Sequence, residues 1–247
     1  MKLKDIYEAI DAFSPFSAQE AWDNSGLVLG DENSSYEGIF ISLDASHELA
    51  LKLPPSSLLI THHPLIFKGL KSLAGNLYPQ KILLELIRKN CALICVHTNF
   101  DKSHLNAYFT ETILGFKIEA KEDFLIYTKV EEQDFLHFAK KIQKRLNLDV
   151  LRLVKARENA SNIAICAGSG SDLIPLLKKG TDTFITGDLR YHAALEAREN
   201  ALNLIDANHY HSELCFAQCF MELLQKQGFS SSICSFIDPF TLLKEHA

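Results

Sequence analysis

The chain has 247 residues, 47% hydrophobic and 23% charged, values that exclude a disordered protein and suit one large domain or two small ones. A net charge of −6 gives no whole-chain positive field, so neither nucleic acid nor an anionic membrane is expected as a partner. Six cysteines lie inside apolar runs instead of forming a dense framework, no run reaches the ~18 apolar residues of a membrane span, and the opening MKLKDIYEAIDAF mixes charge into helical spacing; a cytoplasmic protein with free thiols is expected.

In chain order, residues 3–13 have the apolar spacing of an amphipathic helix. The branched run GIFISLD (38–44) predicts a strand, followed by a helix over 46–53 and a second strand, SLLITHH (57–63). A helix at 78–89, the strand CALICVHT (91–98) and a helix at 105–114 come next. Beyond the charged stretch KIEAKED (117–123) lie the strand DFLIYTKV (123–130), a helix at 132–146 and the strands VLRLVKA (150–156) and NIAICAG (162–168). Helices at 172–179, 190–200 and 212–227 alternate with the strands DTFITGD (182–188), LNLIDAN (202–208) and SSICSF (231–236). Strands joined by helical crossovers define an α/β class, with mainly parallel or mixed sheets flanked by helices. The change of character near residue 120 sets the expected lobes at 1–120 and at 121–247, the latter a second lobe or an interleaved portion.

Six of the nine predicted strands end in polar groups: Asp44, His62 with His63, His97 through Asp101, the Gly168-Ser169-Gly170 turn, Gly187-Asp188 and Asn208-His209. In parallel α/β sheets ligands bind beyond the carboxyl ends of the strands, where rigid strands hold converging loops. ITHHP (60–64) sets two imidazoles at a strand end, and its proline disfavours continuation of the strand. HTNFD (97–101) places His97 and Asp101 four residues apart, either as an acid/base or metal-ligand pair or with Asp101 capping a helix that starts near Ser103. NHYHSE (208–213) puts His209 and Glu213 one helical turn apart on a shared face, with His211 directed elsewhere. The alternative is a helix start capped by His209 and Ser212, with Glu213 complementing its positive end.

His62, His63, Asp101, His209 and Glu213 make five candidate ligands, one more than a closed tetrahedral zinc site uses. Two ions would use all five. Each adjacent histidine, pointing apart as strand alternation prefers, would serve its own ion while a carboxylate bridges the pair. Ions ~3.5–4 Å apart with open positions would activate water for hydrolysis.

Four motifs, AWDNSGLVLG (21–30), ITHHP (60–64), VHTNFD (96–101) and HYHSE (209–213), resemble in order those of the Nif-three-like family, whose bacterial members are often named GTP cyclohydrolase 1 type 2 homologues. TGDLRYH (186–192) is similar to a further family segment, and Phe100 stands where the family often has leucine. The resemblance implies two α/β lobes and two divalent ions held by His62, His63, Asp101, His209 and Glu213 at the carboxyl ends of strands between the lobes. It also implies a ring-shaped homohexamer with its metal sites facing an internal cavity. Mixed imidazole and carboxylate ligation suits zinc, iron or manganese. The implied activity is that of a metal-dependent hydrolase on a small-molecule substrate, a nucleotide or related heterocycle, with GTP suggested by the family name. Two other readings stay open: a metal-binding or regulatory assembly without turnover, and a phosphoesterase using the same ions.

His97 is the candidate catalytic residue, orienting Asp101 or moving protons. Trp22, the single tryptophan, reads as a packing anchor, with Asp23 and Asn24 as candidates for the site wall. The Gly168-Ser169-Gly170 turn reads as a tight turn before it reads as a phosphate cradle. Asp188 reads as a helix cap, with substrate contact by His192 the sharper alternative. Cys215 and Cys219, in LCFAQCFMELL, read as a buried stripe.

Overall fold

A computed structural model describes residues 1–243. The chain forms two compact units: one is Met1–His97 together with the segment from Phe220 onward, the other Thr98–Cys219. Each contains one sheet. The first unit carries β1 (Gly26–Leu29), β2 (Gly38–Ser42), β3 (Ser57–Thr61) and β4 (Ala92–Cys95). The second carries β5 (Ala120–Glu122), β6 (Leu125–Asp134), β7 (Arg152–Val154), β8 (Asn159–Ser169), β9 (Thr183–Gly187) and β10 (Asn203–Asp206), after which β11 (Ser232–Ile233) rejoins the first sheet.

The first sheet has the order β1-β4-β3-β2-β11, parallel throughout except for β1, which lies antiparallel to β4. The second has the order β5-β6-β8-β9-β10-β7, a parallel trio β8-β9-β10 with antiparallel strands on both sides. This is the expected α/β class with mixed sheets. All nine predicted strands are present, and the two short strands β1 and β5 are additional.

In the first unit β3 and β4 are buried at every position, as strands covered on both faces must be. Helices His47–Lys52 and Gln80–Arg88 supply cover: Leu49, Ala50, Ile82, Leu83 and Leu86 share one apolar cluster with Leu59 and Leu93. Ser46 caps the shorter helix, its Oγ accepting the Leu49 N–H at 3.0 Å. The other end of that helix is closed by Lys89, whose Nζ donates to the carbonyls of Ala50, Leu51 and Leu53 at 3.0, 2.6 and 2.9 Å. An ammonium satisfying three terminal carbonyls also complements the helix dipole. Lys89→Met is therefore expected to lower the unfolding free energy by about 1–3 kcal/mol in a urea titration with unchanged slope. An unmoved midpoint would mean that water serves those carbonyls equally well.

In the second unit β6 runs on through Asp134, because Gln133 and Asp134 pair with Ala160 and Asn159 of the long β8. The helix predicted from 132 consequently starts at Phe135, capped by Asp134, which accepts the His137 N–H at 2.7 Å. The helix predicted at 172–179 is a short 3-10 segment, Ser171–Leu176, containing Pro175, which has no N–H to donate. The helix predicted at 105–114 begins instead at Thr98 and contains two wide turns of π type, Asp101–Leu105 and Phe109–Ile113. Asp101 therefore lies inside a helix and does not cap one. The helix predicted at 212–227 is two helices, His209–Glu213 and Phe216–Lys226. Among the described residues no helix is long and apolar enough to cross a membrane.

Candidate metal centre

In the first unit β2, β3 and β4 run parallel, so Asp44, His62 with His63, and His97 follow their strands at one edge of the sheet. The amides of His62 and His63 both donate to the Leu43 carbonyl, at 3.1 and 3.2 Å. Two successive amides on one acceptor end the alternation of the strand. The two rings converge, with centroids 4.9 Å apart, where a continuing strand would have sent them to opposite faces. His62 Nδ1 lies 2.9 Å from the Val96 carbonyl, and His63 Nδ1 lies 2.9 Å from Asp44 Oδ1.

His97 joins this pair, its ring 5.2 Å from that of His62 and 5.6 Å from that of His63. Its Nδ1 is 2.9 Å from Oδ1 of Asp23, a fully buried side chain. Ser25 Oγ completes the support, donating to Asp23 Oδ2 at 3.0 Å and accepting the His97 N–H at 3.1 Å. One ring nitrogen from each of His62, His63 and His97 falls within 4.8 Å of the others.

In the second unit the parallel strands β8, β9 and β10 bring Gly168, Asp188 and His209 to a common edge. The cap of helix His209–Glu213 is Asn208, whose Oδ1 accepts the His211 N–H at 3.3 Å, so neither His209 nor Ser212 caps it. His209 Nδ1 lies 2.7 Å from Asp188 Oδ2, and its Nε2 lies 3.0 Å from Glu213 Oε2. Gly168, at φ +67°, brings the backbone so near Glu213 that a Cβ there would stand 2.1 Å from Oε1. The tight-turn reading of this glycine is the one observed, and the turn seats a carboxylate. A carboxylate oxygen of Asp101 lies within 4.8 Å of one from Glu213. The Asp101 helix is fastened to the same edge through Asn106, whose Oδ1 accepts the Ala167 N–H at 2.7 Å while its Nδ2 donates to the Asp101 carbonyl at 3.3 Å.

His62, His63, His97 and His209 share one arrangement. Each Nδ1 faces a backbone carbonyl or a carboxylate, to which an Nδ1–H would donate, and Nε2 lies on the opposite side of each ring. Metal-ligating histidines are oriented in this way. His209 Nε2 lies 3.0 Å from Glu213 Oε2, a contact that either a second ring proton or a cation shared by the two atoms makes favourable. Imidazole and carboxylate donors fit zinc, iron or manganese.

Among the described residues no thiol joins these donor clusters. Cys95 Sγ is 3.7 Å from the His63 carbonyl, and burial pushes its pKa up to about 11. Cys166 is held well above its ordinary value by burial first and by the Asp101 and Glu213 carboxylates second. Cys215 and Cys219 are buried, as their packing role required, and burial raises the Cys215 thiol further. Protonated buried thiols are poor ligands and poor nucleophiles.

Two other expectations change. Asp188 does not cap helix Tyr191–Glu199, which starts after Arg190 without a side-chain cap; it orients His209 instead. Trp22 is not a packing anchor but is 57% exposed, because the fastened residues of its loop are Asp23, Asn24 and Ser25. His192 is exposed, with its ring edge-on to Tyr191. The sequence marks Asp44 only as a strand-end residue and Asp188 as a strand end and helix cap, and their role as imidazole partners follows from the parallel register.

The model of the Duf34/NIF3 (NGG1p interacting factor 3) family matches residues 1–238, and the chain belongs to this family. It is 46% identical over 241 residues to a Campylobacter jejuni protein named GTP cyclohydrolase 1 type 2 homolog, covering 97% of this chain and 99% of the relative. It is 38% identical over 241 residues to a Helicobacter pylori protein named GTP cyclohydrolase 1 type 2, covering 98% and 99%. Among solved structures, a hypothetical protein of Staphylococcus aureus superposes with a TM-score of 0.87 at 28% identity, covering 98% of this chain and 99% of that one. HcgD from Methanocaldococcus jannaschii superposes with a TM-score of 0.80 at 26% identity, covering 94% and 96%.

Proposed function

We propose that the protein is a metal-dependent hydrolase in which His62, His63, Asp101, His209 and Glu213 hold two divalent ions, and that its substrate is a nucleotide or related heterocycle. The observation that carries this reading is the common orientation of the imidazoles, each with Nδ1 on a carbonyl or carboxylate and Nε2 on the opposite side of the ring. When bound, such ions polarise a substrate oxygen and lower the pKa of water toward neutrality. The chain's own residues supply the rest. Val96, Asp44 and Asp188 fix the ligand rings, and Gly168 seats Glu213. His97, with Nδ1 on Asp23, offers Nε2 as a proton acceptor, and the buried Asp23 carboxylate would stabilise the imidazolium that forms. The names of the Campylobacter and Helicobacter relatives support GTP as the first substrate to try.

The test is elemental analysis of protein purified without added metal or chelator, followed by turnover assays on GTP and a panel of phosphoesters. Saturation at two ions per chain with hydrolysis of a panel member, abolished by Glu213→Ala, is the expected result. Saturation at one ion would remove the dinuclear reading. Two ions with no turnover would favour a metal-binding assembly.

A further inference from the structure

We infer that Trp22 and Phe67 form a stacking platform for a planar heterocyclic base beside the His97 imidazole. Trp22 is 57% and Phe67 49% exposed, and their ring centroids are 5.7 Å apart with planes inclined by 34°. The His97 ring stands edge-on to both, 6.1 Å from Trp22 and 6.2 Å from Phe67, at 75° in each case. Exposing two large apolar rings side by side is unfavourable in water, and here the loops hold them together. Asn24 Nδ2 donates to the Ile66 carbonyl at 2.7 Å, pinning the loop of Trp22 to the residue before Phe67. Gln19 fastens the same loop from behind, its Oε1 accepting the Ser25 N–H at 2.8 Å and its Nε2 donating to the Ser25 carbonyl at 3.2 Å. Asp23 ties it to His97.

The gap between the two rings is too narrow for a third, which needs roughly twice the ~3.5 Å contact distance. A ligand would lie across their exposed faces. An aliphatic chain gains nothing from such a wall that leucines would not provide, whereas the face of a base stacks on an aromatic ring. The surface adjoins the His97 imidazole, whose Nδ1 is on Asp23, so a stacked base would sit beside the edge of that ring. That this base belongs to the substrate rests on the hydrolase reading; binding to the platform does not require turnover.

The chain has one tryptophan, so indole emission reports this position alone. Guanosine and GTP, titrated into metal-loaded and chelator-treated protein, are expected to quench it, and inorganic triphosphate to leave it unchanged. By calorimetry, Trp22→Ala should weaken binding of both probes about 5- to 150-fold, with Trp22→Phe retaining most of the affinity. Phe67→Ala keeps the reporter and should also weaken quenching. Unchanged circular dichroism and metal content in these variants would separate lost stacking from lost folding. Absence of binding by either probe, full affinity in Trp22→Ala and Phe67→Ala, or emission that shifts with protein concentration alone would each overturn the platform, the last assigning this surface to a second copy of the chain. Quenching without hydrolysis would sink the hydrolase reading and leave the platform standing; hydrolysis with an unchanged KM in Trp22→Ala would do the reverse.

Discussion

Glu213→Ala and His62→Ala should each strip bound metal from the protein, because each removes a proposed ligand and an ion is held only while its ligands are present. Both side chains are buried, at 3% and 0% exposure, and a water filling the space left by either would bring neither the carboxylate charge nor the imidazole nitrogen. His97→Ala should differ. If its imidazole moves protons, the ions remain bound with affinity weakened by roughly 10–100-fold at most, while the hydrolytic rate falls further than metal content. Metal loss in His97→Ala equal to that in His62→Ala would instead make the cluster of His62, His63 and His97 a three-imidazole ligand set. Cys219→Ala should change neither quantity, its thiol being buried in packing. Elemental analysis after dialysis reads all four variants, and loss in Cys219→Ala with retention in Glu213→Ala would overturn the ligand assignment.

A single methyl group at Gly168 should have an effect as large. Alanine at φ +67° carries a backbone cost of about 1–2 kcal/mol, and its Cβ would stand 2.1 Å from Glu213 Oε1. The carboxylate has to swing away from His209 to make room. Gly168→Ala is expected to lower the melting temperature by about 2–4 °C for each kcal/mol lost and to reduce metal content as Glu213→Ala does. Gly180→Ala is the matched control: φ is +96° there, yet nothing lies within 4 Å of the added Cβ, so it should show backbone strain with metal content intact. Equal metal retention in both variants would show that the close approach is not what seats Glu213.

The periodicity of the chain was sufficient to find nine strands, since near-continuous apolar runs such as LLI within SLLIT and the whole of ALIC mark strands covered on both sides. β1 and β5 escaped because four and three residues at sheet edges carry too little pattern to be told from a loop. The candidate ligands were legible for a related reason. Polar residues that interrupt a branched run mark its end, and within one parallel sheet those ends face one way, which groups Asp44, His62 and His97 in the first sheet and Asp188 and His209 in the second. The partners of the imidazoles were not legible. Asp23 and His97 are 74 residues apart, and Asp188 and His209 are 21 apart, separations at which no local spacing rule operates.

By itself, then, the sequence determined the α/β class, the strands and the residue types gathered at their carboxyl ends, because those follow from hydrophobic period and from residue chemistry that is local to each segment. Tertiary structure alone decided the rest. The return of the chain to its first unit at Phe220 brings β11 beside β2, where Ser232 pairs with Phe40, 192 residues earlier. The convergence of His62 and His63 depends on one carbonyl, that of Leu43 just beyond the end of β2, accepting both of their amides. The exposure of Trp22 depends on Asp23 and Asn24 being held by His97 and by the Ile66 carbonyl, which fixes the loop and leaves the indole outside. Each of these is set by a hydrogen bond to a group distant in sequence, and the composition of a segment carries no record of which distant group will meet it.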